Sequence, residues 1–204
     1  MSATTEVPTG NTFDKYGSSN PVVKRLMAGF HSDLDDLMAR ANPNTLLDVG
    51  CGEGVLTAEW AERFCEGKVL GIDLEDPKLE AEWDKRRGPN LDFRPEEATS
   101  LPFGDGEFEL AAAIEVLEHV PEPERTLAEM ARVANGWLLV SVPREPLWRV
   151  LNMARGAYWR SLGNTPGHVN HWSRGRFVSL VGRYGRVEEV RAPFPWTMVL
   201  ARVD

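Results

Sequence analysis

"LLDVGCGEGVLT", Leu46 to Thr57, joins a short apolar run with one aspartate to three glycines at alternate positions, Gly50, Gly52 and Gly54, and then to a helical pattern. A strand that ends in a glycine turn and opens a helix is a nucleotide-binding arrangement in α/β proteins, because the crevice there exposes unpaired helix N–H groups. Dinucleotide sites use GxGxxG, whose third glycine packs helix on strand. Val55 occupies the place of that third glycine here. Asp48 and Glu53, in and beside the turn, would repel a pyrophosphate and would suit a ligand with an ammonium and a sulfonium.

Outward from this turn, strands and helices alternate. "TLLDVG", "KVLGID", "LDFRP", "FELAAAIEV" and "WLLVSVP" read as buried strands, with "GVLTAEWAERF", "DPKLEAEWDKR" and "PEPERTLAEMARV" as helices between them, the last stopping near Asn135-Gly136. "SSNPVVKRLM" opens an earlier helix, with Asn20 as cap and Pro21 at its first position. After Pro143 the pattern loosens until Ser173 caps a helix over "RGRFVSLVGRY", and "RVEEVRAP" and "WTMVLARV" close the chain as two alternating strands. The fold class predicted is α/β: a Rossmann-like, doubly wound, mostly parallel seven-stranded sheet with an antiparallel C-terminal pair and helices on both faces. Residues 1–20 read as a flexible segment and 21–204 as one domain, with a lid or acceptor-binding segment over about 144–173.

With 204 residues, 42% of them apolar and 26% charged, the chain suits a soluble domain with a real core. No apolar run reaches the ~20 residues of a membrane span, and the N-terminus lacks an apolar signal core, so the protein reads as cytoplasmic. Two cysteines, Cys51 and Cys65, make neither a zinc site nor a disulfide framework. The net charge of −8 argues against nucleic acid as a partner. Between Arg144 and Arg191, however, nine arginines face three acids, a local +6 that leaves −14 for the rest.

A ligand with an ammonium and a sulfonium is S-adenosylmethionine (SAM), and Asp73, at the end of "KVLGID", stands where a second strand supplies a carboxylate to a ribose. At this point the sequence resembles the class I SAM-dependent methyltransferases, nearest the branch of ubiquinone and menaquinone methyltransferases. "LLDVGCGEG" resembles their first motif, "GIDL" the ribose turn, "EEATSLPFGDGEFELAAAIEVLEHVPEP" the stretch through strand four, and "WLLVSVP" strand five, together covering roughly 44–143. The resemblance implies SAM as cofactor and S-adenosylhomocysteine (SAH) as product. It implies Asp48, Gly50, Cys51, Gly52 and Gly54 around the methionine part, Asp73 on the ribose and Leu74 on the adenine. Glu97 and Ala98 would lie at the exocyclic amine, a glutamate standing where the family's usual residue is aspartate, and Glu115 beside the cofactor.

In-line methyl transfer asks mostly for alignment and a dry pocket. A phenol, alcohol or protonated amine also needs a base, and His171, His168 and His119 are the candidates in that order. Glu118 reads as a solvated helix-start carboxylate. A metal site would need a third protein ligand beside His168 and His171, and no acid or cysteine lies near them in sequence, so none is expected. The expected acceptor is a small or amphipathic metabolite, with the Arg/Trp-rich segment 144–176 as its lid or as a peripheral contact with an anionic membrane. The sequence does not set the oligomeric state. An NAD-dependent oxidoreductase and a SAM-binding subunit without turnover are the alternative readings.

Overall fold

The computed structural model describes residues 20–63, 67–154, 156 and 158–203. The N-terminal segment up to residue 19 and Cys65 lie outside the described residues. Helix α1 (Pro21–Ala41) starts where a cap and a proline place it: Asn20 accepts the Val22 N–H through its side chain. Then follow β1 (Thr45–Val49), α2 (Val55–Arg63), β2 (Lys68–Asp73), α3 (Pro77–Trp83), β3 (Leu91–Pro95), β4 (Phe108–Ile114), α4 (Pro123–Val133) and β5 (Ala134–Pro143). Helix α5 (Leu147–Ala154), a 3-10 turn at Trp159–Ser161, α6 (Arg174–Val181), β6 (Arg186–Arg191) and β7 (Trp196–Arg202) complete the chain.

The seven strands form one sheet in the order β3-β2-β1-β4-β5-β7-β6. The first five are parallel, and β7 runs antiparallel to both β5 and β6. This is the predicted fold class. Alternation along the strands sorts the core into two layers. Leu47, Val49, Ala111 and Val140 pack with Leu127 and Met130 of α4 and Phe177 of α6 on one face. Leu46, Val69, Leu110 and Leu139 pack with Phe30 and Leu34 of α1, Trp60 of α2 and Trp83 of α3 on the other. Covered on both sides, the sheet leaves the carboxyl ends of its parallel strands as the accessible crevice, and β1 and β4 are the neighbours at which strand order reverses.

Two expectations are corrected. Helix α4 ends at Val133, and Ala134, Asn135 and Gly136 belong to β5. Gly136 is there because a Cβ would come 2.5 Å from the Glu109 carbonyl oxygen of the neighbouring strand, so it answers to strand approach and not to a helix stop. The connection after β5, which reads as loose, contains α5 and is knitted by side-chain hydrogen bonds: Trp148 Nε1 to Thr165 Oγ1 at 2.9 Å, and the buried Asn152 amide to the Gly163 carbonyl at 2.8 Å.

Candidate active site

The turn after β1 needs its glycines for conformation, since Gly50, Gly52 and Gly54 have φ of 73°, 56° and 78°. Their surroundings differ. A Cβ at Gly50 would meet Val116 at 2.6 Å and one at Gly54 would meet Phe93 at 2.5 Å, whereas one at Gly52 would meet nothing within 4 Å. Gly50 and Gly54 are packing positions, and Gly52 presents bare backbone to open space. The turn is held from below: Trp83 donates to the Gly52 carbonyl at 2.7 Å and stacks on Phe93.

Asp73 closes the turn from the end of β2. One carboxylate oxygen accepts the Gly52 N–H and the other the Leu74 N–H, both at 2.7 Å. Burial raises its pKa, and those two donors oppose the rise. Each oxygen keeps a lone pair, so the clamped carboxylate can still accept two vicinal hydroxyls. Next to it Leu74 exposes 42% of its surface, an apolar face beside a polar clamp. Glu97 is exposed and Ala98 packs half-buried against the core on the following turn.

Asp48 lies beneath the turn, buried, with one oxygen accepting the Thr57 hydroxyl at 2.7 Å. Burial pushes its carboxyl up to about 7, with the nearby Asp73 adding to the rise and Thr57 opposing it. The same burial, with these two acids, raises the Cys51 thiol, so Cys51 is a neutral filler and not a nucleophile. Glu115, after β4, adopts φ 62°, rare for a side chain of its size, and is pinned at both oxygens. Ser141 donates to Oε1 at 3.1 Å and Trp196 Nε1 to Oε2 at 2.6 Å.

Trp196 in turn packs on Phe30 of α1 and Trp148 of α5, so three elements meet over Glu115. On the same sheet edge the start of α1 and the β6–β7 turn enclose a groove of about 610 Å³ lined by Val22, Arg25, Leu26, Pro193 and Phe194.

The histidines divide. His119 is exposed and His168 buried, and their rings meet edge-on at 4.7 Å. His171 is exposed and bonded to Asn164 at 2.6 Å, outside that pair. Glu118, expected in solvent, is 2% exposed and joins His119 and His168. Its backbone carbonyl accepts the N–H groups of Val169 and Asn170, which draws the turn after β4 under the 165–170 loop. The arginines of the basic stretch are partly spent: Arg183, Arg186 and Arg191 pair with Glu124, Glu188 and Glu189.

Residues 47–140 match the methyltransferase domain family. A ubiquinone biosynthesis O-methyltransferase of Methylococcus capsulatus is 30% identical over 157 residues, covering 68% of this chain and 65% of that one. Over residues 47–140 the chain is similar to the class I SAM-dependent methyltransferases. A demethylmenaquinone methyltransferase of Paenarthrobacter aurescens is 35% identical over 111 residues, 52% of this chain and 42% of the relative. The chain thus spans less than two thirds of the length of these relatives. Among solved structures, a SAM-dependent methyltransferase from Aquifex aeolicus superposes with TM-score 0.68 at 18% identity, covering 91% of this chain and 94% of the other. Magnesium protoporphyrin IX methyltransferase from Synechocystis with bound SAH gives 0.65 at 17% identity, over 92% and 90%.

The residues fit SAM as cofactor: an open glycine backbone, a clamped carboxylate and an exposed leucine follow one another along the carboxyl edge of β1 and β2. Sequence reasoning missed Ser141, Trp196, Trp83 and Phe93, which hold that arrangement. Only the packing of distant elements shows their roles.

Proposed function

We propose that the chain transfers a methyl group from SAM to an oxygen, nitrogen or carbon atom of a small or amphipathic acceptor, quinone-, lipid- or natural-product-like in character. One observation carries the reading: the Gly52 face is open and Asp73 lies directly across it, with its carboxylate locked in place before any ligand arrives. Preorganisation of this kind removes an ordering cost from binding. It also disfavours the oxidoreductase alternative, since the position a dinucleotide motif gives to glycine is Val55 at the start of α2.

When bound, the cofactor supplies an electrophilic methyl group on a sulfonium. The chain's own residues hold and align: Asp73 and Leu74 the adenosine, Gly52 and its neighbours the amino-acid tail, with Glu115 beside the cofactor. The apolar groove between α1 and the β6–β7 turn admits an amphipathic acceptor, which suits the quinone methyltransferases among the relatives. The 144–173 segment excludes water, and His168, buried in it beside Glu118, takes a proton from an acidic acceptor. His171, exposed and bonded to Asn164, serves the segment's structure instead.

We propose a cytoplasmic protein with a peripheral membrane contact. No helix among the described residues is long and apolar enough to cross a membrane. Val150, Trp159, Leu162 and Val169, each more than half exposed, give the segment an apolar surface for such a contact.

Calorimetry with SAH, SAM and NADH tests the cofactor reading. SAH and SAM should bind and NADH should not. Asp73→Ala should lower SAH affinity roughly 100-fold, the loss of about two hydrogen bonds to a charged group at ~1.5 kcal/mol each. Binding of NADH in preference to SAH would overturn the proposal, and SAH binding with no methylation across phenolic and quinone-like acceptors would favour the non-catalytic subunit.

A further inference from the structure

The cluster of Glu118, His119 and His168 is assembled from two places about 50 residues apart and is fixed on both sides. Five hydrogen bonds join the turn after β4 to the 165–170 loop. Val169 and Asn170 donate their N–H groups to the Glu118 carbonyl at 2.8 and 3.1 Å. The Asn170 amide donates to the Leu117 and Val120 carbonyls at 3.0 and 2.6 Å. His119 Nδ1 meets the Gly167 carbonyl at 3.1 Å. A carbonyl only accepts, so Nδ1 carries the proton and Nε2 is left as the basic nitrogen of His119. A backbone acceptor on one ring nitrogen that fixes the other as ligand is how proteins orient metal-binding histidines.

One ligand atom each from Glu118, His119 and His168 lies within 4.8 Å of the other two. Ligands ~2.1 Å from a tetrahedral ion stand roughly 3.4 Å apart, so side-chain rotation of about an ångström would close the set on one ion. His168 also stacks against Trp148 at 6.3 Å, which walls the buried side.

We propose that Glu118, His119 and His168 form a binding site for one divalent transition-metal ion of the zinc, manganese or cobalt class. Two imidazoles and one carboxylate favour such an ion over magnesium or calcium, which prefer all-oxygen sets. Three protein ligands leave coordination positions open, and an anionic oxygen such as a phenolate is the class of ligand that would complete them. The carboxylate of the buried Glu118 balances part of the ion's charge, and the exposed His119 leaves the cluster open to solvent on its side. With an ion bound, His168 is a ligand and no longer the base, and the ion would itself lower the pKa of an acceptor hydroxyl. Because ion binding is measured without turnover, its failure is distinguishable from failure of the methyl-transfer reading.

Chelator-treated full-length protein, titrated with zinc against a chromophoric chelator and with cobalt by its visible absorption, should take up one equivalent. His168→Ala and Glu118→Gln should each weaken zinc binding by roughly 100-fold. His119→Ala, at an exposed position whose loss leaves the core intact, should do the same, and His171→Ala should change nothing. Thermal melts of each variant identify any that fail to fold, and His119→Ala keeps the test decisive if the buried variants do. Failure of the wild-type protein to take up a stoichiometric ion, or uptake that survives loss of both His119 and His168, overturns the proposal.

Discussion

The glycine turn after β1 and the 144–173 segment stand at the same edge of the sheet, yet they are built in opposite ways. The turn is made of backbone: three positive φ angles, one clamped carboxylate and an open face at Gly52, all within 28 residues of sequence from Leu46 to Asp73. The 144–173 segment is made of side chains that reach far along the chain, with Asn170 bonded to the carbonyls of Leu117 and Val120 and Trp148 packed on Trp196. A local device can be strained and still be legible, because each residue type is dictated by its own geometry. A long-range device is specified by pairs, and neither member of a pair announces the other.

The difference can be broken most forcefully at Asp48, where the turn stores its largest electrostatic cost. Its carboxyl titrates near 7 in the folded protein against an ordinary value of 3.8. Between about pH 4 and pH 7 the unfolded chain therefore has released a proton that the folded chain retains, so unfolding is favoured as pH rises through that window. The shift corresponds to at most about 4 kcal/mol, present in full above pH 7 and absent below pH 4. Urea denaturation of the cofactor-free protein at pH 5 and pH 8 should show stability falling with pH, and Asp48→Asn should remove most of that fall. A variant with the same pH slope as the wild type would show that Asp48 is not the strained group. In the 144–173 segment burial likewise raises the Glu145 carboxyl, opposed by the Arg149 N–H.

This contrast accounts for what could be read in advance. The element order and the antiparallel closing pair follow from periodicity and from caps such as Asn20, which accepts an N–H two residues on. Asp73 ends β2 and Leu74 follows it, as the pattern of "KVLGID" predicts, since a strand end and its next residue have little freedom of placement. Glu118 could not be read as buried: flanked by Leu117 and His119, it resembles any carboxylate at a helix start until the 165–170 loop covers it. The helical content after Pro143 was hidden for a similar reason, because a helix of eight residues, α5, lacks a strong start signal and is held by Thr165 and Gly163 from beyond its end.

A second comparison lies within the turn. Ala at position 54 must accept φ 78° and place a Cβ 2.5 Å from the buried Phe93 ring, so Gly54→Ala should cost about 3 kcal/mol. Ala at position 52 faces open space and bears only the conformational penalty, about 1 kcal/mol. Thermal melts should rank them in that order. SAH titrations should show that Gly52→Ala, the milder change for folding, loses more affinity than its stability cost predicts, because its methyl group intrudes on the ligand's side. Equal effects of the two on affinity would mean that the open face of Gly52 is not where the ligand lies.

The smallest expected effect on SAH binding is at Glu115, where the two regions meet. Trp196→Phe keeps the ring packed on Phe30 and Trp148 but removes the N–H that holds Glu115 Oε2. Stability should fall by about 1.5 kcal/mol, the contribution of one hydrogen bond to a charged group. Glu115 retains the Ser141 bond, so its carboxylate is loosened and not released, and SAH affinity should fall only about threefold. Calorimetry beside urea denaturation reads both numbers. If stability falls while SAH affinity is untouched, Trp196 serves the packing of α1 and α5 alone, and the cofactor turn and the 144–173 segment do not communicate through Glu115. If affinity falls as expected, Glu115, held from β5 by Ser141 and from β7 by Trp196, carries the packing of the 144–173 segment to the cofactor site.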